Sequence, residues 1–361
     1  MTEHAFGRAP AFTVGIEEEL LLVDRDTHQL APNAADVLSR LDGLPPGSVG
    51  HEAFAAELEL RSPAADDADA ATTALGAARA AAGRAGATLI GAGLHPSAAL
   101  GDAELVAKER YRRVEDEMRG LIRRTPECAL HVHVGMPDAD AAVHALNGLR
   151  EALPLLQALA ANSPYWFGRD SGLASARAAA VRSYPRFELP RAFRDYEDFL
   201  RVADQLIAAA GVSDYTYIWW DVRPHPNLGT VEVRGMDVQP RPQENAAIAA
   251  LIQALAAKEI DRPGAPGLAR EAIEESYFQA ERYGLEARLM VDESTAAPAT
   301  EVARGTLEEA RPYAADLGGE GALEEIERIV AEGNGADRQR RVHGEHGIEA
   351  LLSDLAERTR V

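Results

Sequence analysis

Residues 13–24, "TVGIEEELLLVD", have the aliphatic and β-branched composition of a buried β-strand, yet three consecutive carboxylates lie in the middle. Side chains alternate along a strand, so Glu17 and Glu19 share one face and Glu18 points to the other. Two carboxylates this close repel each other and resist joint ionisation unless a cation lies between them. A solvated edge strand is the alternative interpretation, and the rest of the sequence must decide between the two.

The same alternation returns in three further segments. Each predicted strand has an apolar side and a side that carries Glu, His or Arg. The polar positions are Glu57 and Glu59 in "GHEAFAAELELRS" (50–62), His131 and His133 in "ALHVHVGM" (129–136), and Glu232 and Arg234 in "GTVEVRGMD" (229–237). The apolar positions are Phe54, Ala56, Leu58 and Leu60 in the first segment, Val132 and Val134 in the second, and Val231 and Val233 in the third.

Four strands with matching chemistry on the uncovered side of one sheet predict a site for a polyvalent cation. Oxygen ligands dominate and histidine is in the minority, which favours a hard divalent ion, Mg²⁺ or Mn²⁺, over structural zinc. Arg234 beside Glu232 adds an anion contact next to the cation. This combination fits a phosphate-bearing substrate held by metal and arginine together.

Composition narrows the class of protein. The chain has 361 residues, 46% of them hydrophobic, and a net charge of −21, which argues against general binding to nucleic acid or to an anionic membrane. No apolar run reaches membrane-spanning length, and the start "MTEHAFGRAPAF" lacks the pattern of a signal peptide. With Cys128 as the single cysteine, a cytoplasmic protein is expected. Neither lysine, Lys108 or Lys258, follows a glycine, so no Walker-type phosphate loop is present.

The order of predicted elements favours an α+β fold with an antiparallel or mixed sheet. Strands are predicted near 12–23, 50–62, 88–94 and 128–136, and within "YTYIWWDVRPHP" (215–226) and "LGTVEVRGMDVQP" (228–240). Helices are predicted near 64–87, 102–124, 138–162 and 195–211, and over most of the chain after residue 242. We expect a single domain over 1–361, strand-rich in 1–240 and helical in 241–361.

Six motifs together resemble the carboxylate-amine ligase family, which is related to the type 2 glutamate–cysteine ligases and shares the fold of the catalytic region of glutamine synthetase. They are "GIEEELLLVD", "ELELRSP", "HVHVGMPD", "ANSPYWFGRDSGLASAR", "WWDVRPHPNLGTVEVRGMDVQP" and "GNGADRQR". The resemblance implies a sheet with helices on one face and the active site on the other. It also implies an enzyme that uses ATP and Mg²⁺, or Mn²⁺, to form an acyl phosphate, which an amine then converts to an amide. Glutamate and cysteine, giving γ-glutamylcysteine, ADP and phosphate, are the implied substrates and products.

The resemblance also assigns residues. Metal ligands would be Glu17, Glu19, Glu52, Glu59, His131 and Glu232. Glu232 and Arg234 would take part in catalysis, and Arg234, Arg177 and Arg182 would contact the nucleotide phosphates or substrate carboxylates.

Some of these assignments leave alternatives. Glu52 and Glu59 lie seven positions apart, so in a regular strand they would face opposite ways, and a bulge or bend is needed. Glu57 is the alternative ligand. His133 is expected to line the pocket rather than to bind metal. Trp219 and Trp220 are expected to point in opposite directions, one into the core.

Two other functions compete with the ligase. The His-x-His motif fits a metal-dependent hydrolase, and a nucleotide-binding regulatory protein without turnover would keep the same site. In each case we expect the protein to bind small molecules, and neither nucleic acid nor a membrane. A homo-oligomer is one arrangement that fits each of these functions. The sequence does not identify the general base that the ligase reaction requires.

Overall fold

The computed structural model describes residues 4–262 and 267–361. Its strands are β1 (Val14–Val23), β2 (Val49–His51), β3 (Glu57–Arg61), β4 (Thr88–Ile90), β5 (Ala129–Gly135), β6 (Tyr165–Trp166), β7 (Arg169–Asp170), β8 (Val222–His225), β9 (Thr230–Asp237), β10 (Arg288–Met290) and β11 (Ala296–Pro298). Its α-helices are α1 (Ala34–Ser39), α2 (Ala68–Arg84), α3 (Glu109–Met118), α4 (Ala139–Ala160), α5 (Ala176–Val181), α6 (Tyr196–Ala210), α7 (Pro242–Asp261), α8 (Arg270–Tyr283), α9 (Ala299–Asp316), α10 (Leu323–Glu332) and α11 (Gly335–Thr359).

Within the described residues, seven strands form the main sheet, in the order β2-β3-β1-β5-β9-β8, and β4 pairs with the end of β1. Every pairing in this sheet is antiparallel. The predicted α+β class with an antiparallel sheet is therefore confirmed. The chain after residue 242 is mainly helical, as predicted, with the short hairpin β10–β11 inside it. Residues 263–266 of this predicted helical part lie outside the described residues.

Helices cover one face of the sheet. Helix α2 packs on β1, α4 packs on β8 and β9, and α7 packs on β5. The apolar side chains of the strands, such as Ile16, Leu58 and Val233, pack in the main hydrophobic core with the sheet-facing side chains of these helices. Because strand side chains alternate, this leaves the polar side chains of the same strands on the opposite face.

Glu18 is the exception, since it is a carboxylate on the helix-covered face and is fully buried. Arg79 of α2 donates through Nε to Glu18 at 2.8 Å, and Asn245 of α7 donates at 2.7 Å. The same guanidinium also donates to the carbonyls of Pro240 at 2.6 Å and Thr359 at 3.4 Å. A buried charge is tolerated when it is paired and hydrogen-bonded in this way.

The predicted strand over 50–62 is two strands with a break. Residues 52–56 leave the sheet between β2 and β3, and Phe54 packs into a second apolar cluster with Val114 and Trp219. The prediction that Phe54 shares a face with Leu58 and Leu60 was therefore wrong, because alternation holds only inside a regular strand.

A bulge in β9 changes the alternation near its end. His133 pairs with Glu232, whereas Leu130 pairs with Met236, so the register shifts between these pairs. The extra residue on β9 reverses the side-chain direction for the positions that follow it. As a result Asp237 lies on the same side of the sheet as Glu232, although five positions along a regular strand would place them on opposite sides.

Among the helices of residues 4–262 and 267–361, none combines the length and the apolar character that crossing a bilayer requires.

Candidate active site

A row of polar side chains crosses the helix-free face of the sheet, because the register places them opposite one another. Glu59 of β3 pairs with Glu19 of β1, and Glu17 of β1 pairs with His131 of β5. On the other side of β5, His133 pairs with Glu232 of β9, which in turn pairs with Arg223 of β8. Residues far apart in the sequence are thus neighbours on one surface, as the alternation predicts.

Glu17, His133 and Glu232 form the tightest group in this row. One ligand atom from each lies within 4.8 Å of the other two, and no other group of three such side chains in the described parts of the chain is this close. His133 Nε2 lies 3.8 Å from an oxygen of Glu17 and 3.8 Å from an oxygen of Glu232.

Each carboxylate of the group has a defined protonation preference. Burial alone would raise the pKa of Glu17, but the hydrogen bond with His131 and the electrostatic influence of His133 and His131 hold it well below its ordinary value. Burial also acts to raise the pKa of Glu232, and Arg223 and Arg234 outweigh it, so this pKa too lies well below the usual range. Both carboxylates are therefore anionic at neutral pH.

The group suits a divalent cation. Its donors are two carboxylates and an imidazole, and His133 Nδ1 is within 3.0 Å of Thr230 Oγ1, which fixes the ring. The buried Nε2 of His133 has no hydrogen-bond partner in the described residues, although it points at two carboxylates. A buried nitrogen without a partner is costly, and an ion at this position would satisfy it.

A second set of carboxylates, on β1 and next to it, has pKa values that are raised and not lowered. Burial, followed by the charge of Glu52, raises the pKa of Glu19 to about 8. Burial also raises the pKa of Glu52, and it raises that of Glu57 well above the usual value. These groups share one cavity with Arg110, Arg177 and Arg234, and a bound cation would further favour their joint ionisation.

The structure explains how Glu52 reaches this cavity. It lies in the break between β2 and β3, where strand alternation does not apply, and it lines the cavity together with Glu57. The bend that the sequence requires for Glu52 is therefore present. Glu59 is held in a close ion pair with Arg61 on the same face.

The predicted arginines have different surroundings. Arg234 pairs closely with Glu232 and lines the cavity, and its buried Nε has no partner among the described residues. Arg177 also lines the cavity, is 2% exposed and donates to the carbonyl of Gly235 at 3.1 Å. Arg182 instead donates to Asp221 at 2.7 Å and Glu281 at 3.4 Å, and it does not line the cavity.

His133 was predicted to line the pocket rather than to bind metal, and the register to Glu232 brings it into the three-residue group. Two other residues with a place in the site were missed by sequence reasoning. Arg223 donates to Glu232 at 2.6 Å, which its position on a short strand did not reveal. Glu127 lines the cavity just before β5 and has no pattern that marks it. Trp219 lines the cavity and Trp220 packs in the main core, as expected.

The fold belongs to a known class of structure, which includes a glutamate–cysteine ligase. The chain superposes on the crystal structure of the glutamate–cysteine ligase from Francisella tularensis in complex with AMP with a TM-score of 0.75. The alignment covers 96% of this chain and 88% of that one, at 16% sequence identity.

The sequence comparisons make the assignment more specific. The model of the glutamate-cysteine ligase family 2 matches residues 13–354, and the chain belongs to this family. It is 42% identical to a putative glutamate–cysteine ligase 2-3 of Rubrobacter xylanophilus, over 99% of both chains. It is also 34% identical to a glutamate–cysteine ligase of Haloferax volcanii, over 97% of this chain and 98% of that one.

Proposed function

We propose that the protein is an ATP-dependent ligase that joins the γ-carboxylate of glutamate to an amine, with cysteine as one acceptor. The observation that carries this proposal is the group of Glu17, His133 and Glu232 beside Arg234, on the helix-free face of the sheet. Family membership supports the reaction class, and the charge of the site supports the use of a phosphate-bearing substrate.

The reaction needs no protein nucleophile. A carboxylate oxygen of glutamate attacks the γ-phosphorus of ATP, the bond to the β-phosphate oxygen breaks, and ADP leaves. The amine nitrogen then attacks the acyl carbon, the C–N bond forms, and phosphate leaves with the electron pair of the broken C–O bond. Positioning and charge neutralisation are the main contributions that a protein makes to such a transfer.

The side chains of this site can be assigned roles in this reaction. Glu17, His133 and Glu232 would hold a divalent cation, for which Mg²⁺ or Mn²⁺ are the candidates, and Glu19, Glu52, Glu59 and His131 would extend the ligand set. The cation, when bound, supplies charge neutralisation for the phosphates. Arg234 has an unpartnered Nε and would donate to a phosphate oxygen, while Arg223 keeps Glu232 in place. Arg177 would face a substrate carboxylate from the cavity wall.

The test is release of ADP by the purified protein, with the amide product identified by mass. We expect ADP only when Mg²⁺, L-glutamate and an amine such as cysteine are all present. Bound stoichiometric zinc and amide cleavage without nucleotide would support the metal-dependent hydrolase instead. Tight ATP binding without ADP across a panel of amino acids and amines would support the regulatory protein.

A further inference from the structure

The cavity beside the candidate metal group has a volume of about 130 Å³, and much of its wall is apolar. Glu19, His131 and Arg234 form the side that adjoins the metal group. The apolar residues of the wall belong to the second hydrophobic cluster and are Phe54, Val114, Met118, Ile122, Val181, Tyr184 and Trp219. The cavity therefore joins a charged end, where phosphates would lie, to an apolar interior.

Glu127 is a carboxylate on this wall that the proposed ligand set does not use. Tyr184 Oη lies 2.6 and 2.7 Å from its two oxygens and donates to the carboxylate. In the described parts of the chain, no arginine or lysine forms an ion pair with Glu127. The nearby Arg124 donates to the carbonyl of Ala180 and to the hydroxyl of Ser183.

The charged and titratable groups that act on Glu127 are Tyr184, Arg124 and Arg177, with Glu57 as a like charge across the cavity. Burial is the largest influence and raises the pKa of Glu127 to about 7, although the first three groups act to lower it. A carboxylate that faces a cavity and forms no direct ion pair in the described residues complements a cation from outside the protein. A carboxyl group that titrates near neutral pH is also suited to accept a proton.

We propose that this cavity binds the amine substrate, with its ammonium group against Glu127 and an apolar group against Phe54, Met118 and Trp219, and that Glu127 accepts the proton which the ammonium must lose. This inference rests on the proposed ligase function and names the amine that it uses. The substrate class is a primary amine, amino acids included, with an uncharged apolar group. A cavity of about 150 Å³ accommodates benzene, so a branched aliphatic group fits the present volume.

The proton balance of the step is complete. The ammonium gives one proton to the carboxylate of Glu127 and becomes a neutral amine with a free electron pair. That pair forms the C–N bond to the acyl carbon, and the C–O bond to phosphate breaks. The second proton lost by the nitrogen leaves with the phosphate, and Glu127 returns its proton to water after the product departs.

Hydroxylamine tests the role of Glu127, because it is largely uncharged at neutral pH and needs no base. We expect Glu127→Gln to lower turnover with L-leucine or L-cysteine by about 10²-fold or more. Turnover with hydroxylamine, read as the γ-glutamyl hydroxamate, should stay within about threefold of the wild type. An equal loss with both nucleophiles, or no loss with either, would overturn the proposal. Glu308→Gln, an exposed change on α9, is the matched control.

Tyr184→Phe provides an independent test that keeps the carboxylate, and it decides the question if Glu127→Gln does not fold. Loss of the Tyr184 hydroxyl removes a hydrogen bond to the charged form of Glu127, so the pKa of Glu127 should rise. We expect the acid limb of the amine-dependent pH profile to move to higher pH, while the hydroxylamine-dependent profile keeps its position. A shift of both profiles together, or of neither, would contradict the assigned role.

The substrate class is tested with a nearly isosteric pair of amino acids. L-Leucine should exceed L-asparagine in kcat/KM by at least about tenfold, because an amide buried without partners is costly. Equal or better use of asparagine would overturn the apolar class. If wild-type protein forms no hydroxamate from glutamate and ATP, the proposed function itself fails. Hydroxamate formation by the wild type, together with unaltered use of L-leucine and L-cysteine by Glu127→Gln, would refute only the inference about the amine.

Discussion

Three adjacent and identical residues have three different chemical states in this protein. Glu18 is paired with Arg79 and accepts a hydrogen bond from Asn245 on the helix-covered face. Glu17 is kept anionic by the two histidines of β5, whereas burial and a neighbouring carboxylate raise the pKa of Glu19 to about 8. The chemistry of each carboxylate is therefore set by the strand or helix that packs against it, and not by its residue type.

Replacement of Glu17 tests the three-residue group. Glu17→Gln keeps the shape of the side chain but removes a negative ligand, so we expect weaker binding of Mn²⁺, measured by calorimetry, and a loss of ADP formation of roughly 10²-fold. Glu345→Gln, an exposed change on α11, should alter neither quantity. Unchanged Mn²⁺ affinity in Glu17→Gln would remove Glu17 from the ligand set.

Arg79→Leu should be among the most destabilising single changes in the protein. It leaves the fully buried Glu18 without its counter-ion, and we expect a loss of about 3–5 kcal/mol in the free energy of unfolding, measured with urea. Arg113→Leu is the control, because its pair with Glu109 is exposed and should contribute less than about 0.5 kcal/mol. Similar losses in the two variants would contradict the importance of the buried pair.

Residue positions on a face could be predicted from the sequence wherever a strand is regular. Alternation placed Glu17 and Glu19 together, and it placed Glu232 with Arg234. It could not show which strands are neighbours, and so it could not choose between His131 and His133 as the closer partner of Glu232. Glu127 was out of reach for the same reason, since Tyr184 and Trp219 meet it only through tertiary packing.

At the scale of elements, irregularities in the strands bring the site together. The break over residues 52–56 brings Glu52 to the cavity, and the bulge in β9 brings Asp237 to the same side as Glu232. There Asp237 accepts hydrogen bonds from Ser163 at 2.7 Å and Ser175 at 2.9 Å. These contacts hold the start of α5, the helix that carries Arg177.

Gly235 lies in the bulge of β9, where the lack of a side chain leaves room for Tyr277, and its substitution tests the element. A Cβ atom at this position would lie 2.2 Å from Tyr277 Oη but 3.5 Å from the nearest ring carbon of Tyr277. We expect Gly235→Ala to lower the free energy of unfolding by about 1–3 kcal/mol and to reduce activity, because Arg234 moves with the strand.

The double variant Gly235→Ala/Tyr277→Phe tests whether the clash with the Tyr277 hydroxyl causes the loss of stability. Removal of the hydroxyl leaves an ordinary van der Waals contact, so at least half of the lost stability should return, although the contact of Tyr277 with Gln157 at 3.4 Å is also lost. A double variant no more stable than Gly235→Ala would show that the clash is not the cause.

The sequence predicted the existence of most elements but not their irregular ends. Helix α4 and strand β5 lie within one or two residues of their predicted bounds, because each has a clear period and α4 also has a clear N-cap, Asp138. The segment 102–124 forms only the shorter α3 and a 3₁₀ turn, and 215–221 is not part of β8. In these places side chains pack on the second apolar cluster, and local periodicity carries no information about that contact.

At the scale of the whole molecule, buried carboxyl groups make stability depend on pH. Burial, only partly offset by Arg182, raises the pKa of Glu281 to about 7. A raised pKa means that the folded state binds the proton more tightly than the unfolded state. This contribution to stability is complete below about pH 4.5 and is lost as the pH rises through about 7.

We therefore expect Glu281→Gln to reduce the fall in Tm between pH 5 and pH 8, relative to the wild type. The difference in slope corresponds to roughly 1–3 kcal/mol over that range. Glu275→Gln, an exposed change on the same helix, should keep the wild-type slope. A parallel fall in all three proteins would show that Glu281 does not titrate as described.

The guanidinium of Arg79 also has a consequence for folding. It bonds to Glu18, Pro240 and Thr359, so it joins β1 to the residues just before α7 and to the last turn of α11. Arg79 and Thr359 lie 280 positions apart, and contacts between such distant residues close a long loop and form slowly. We expect the strand that bears Glu17 and Glu19 to gain its full set of partners late in folding.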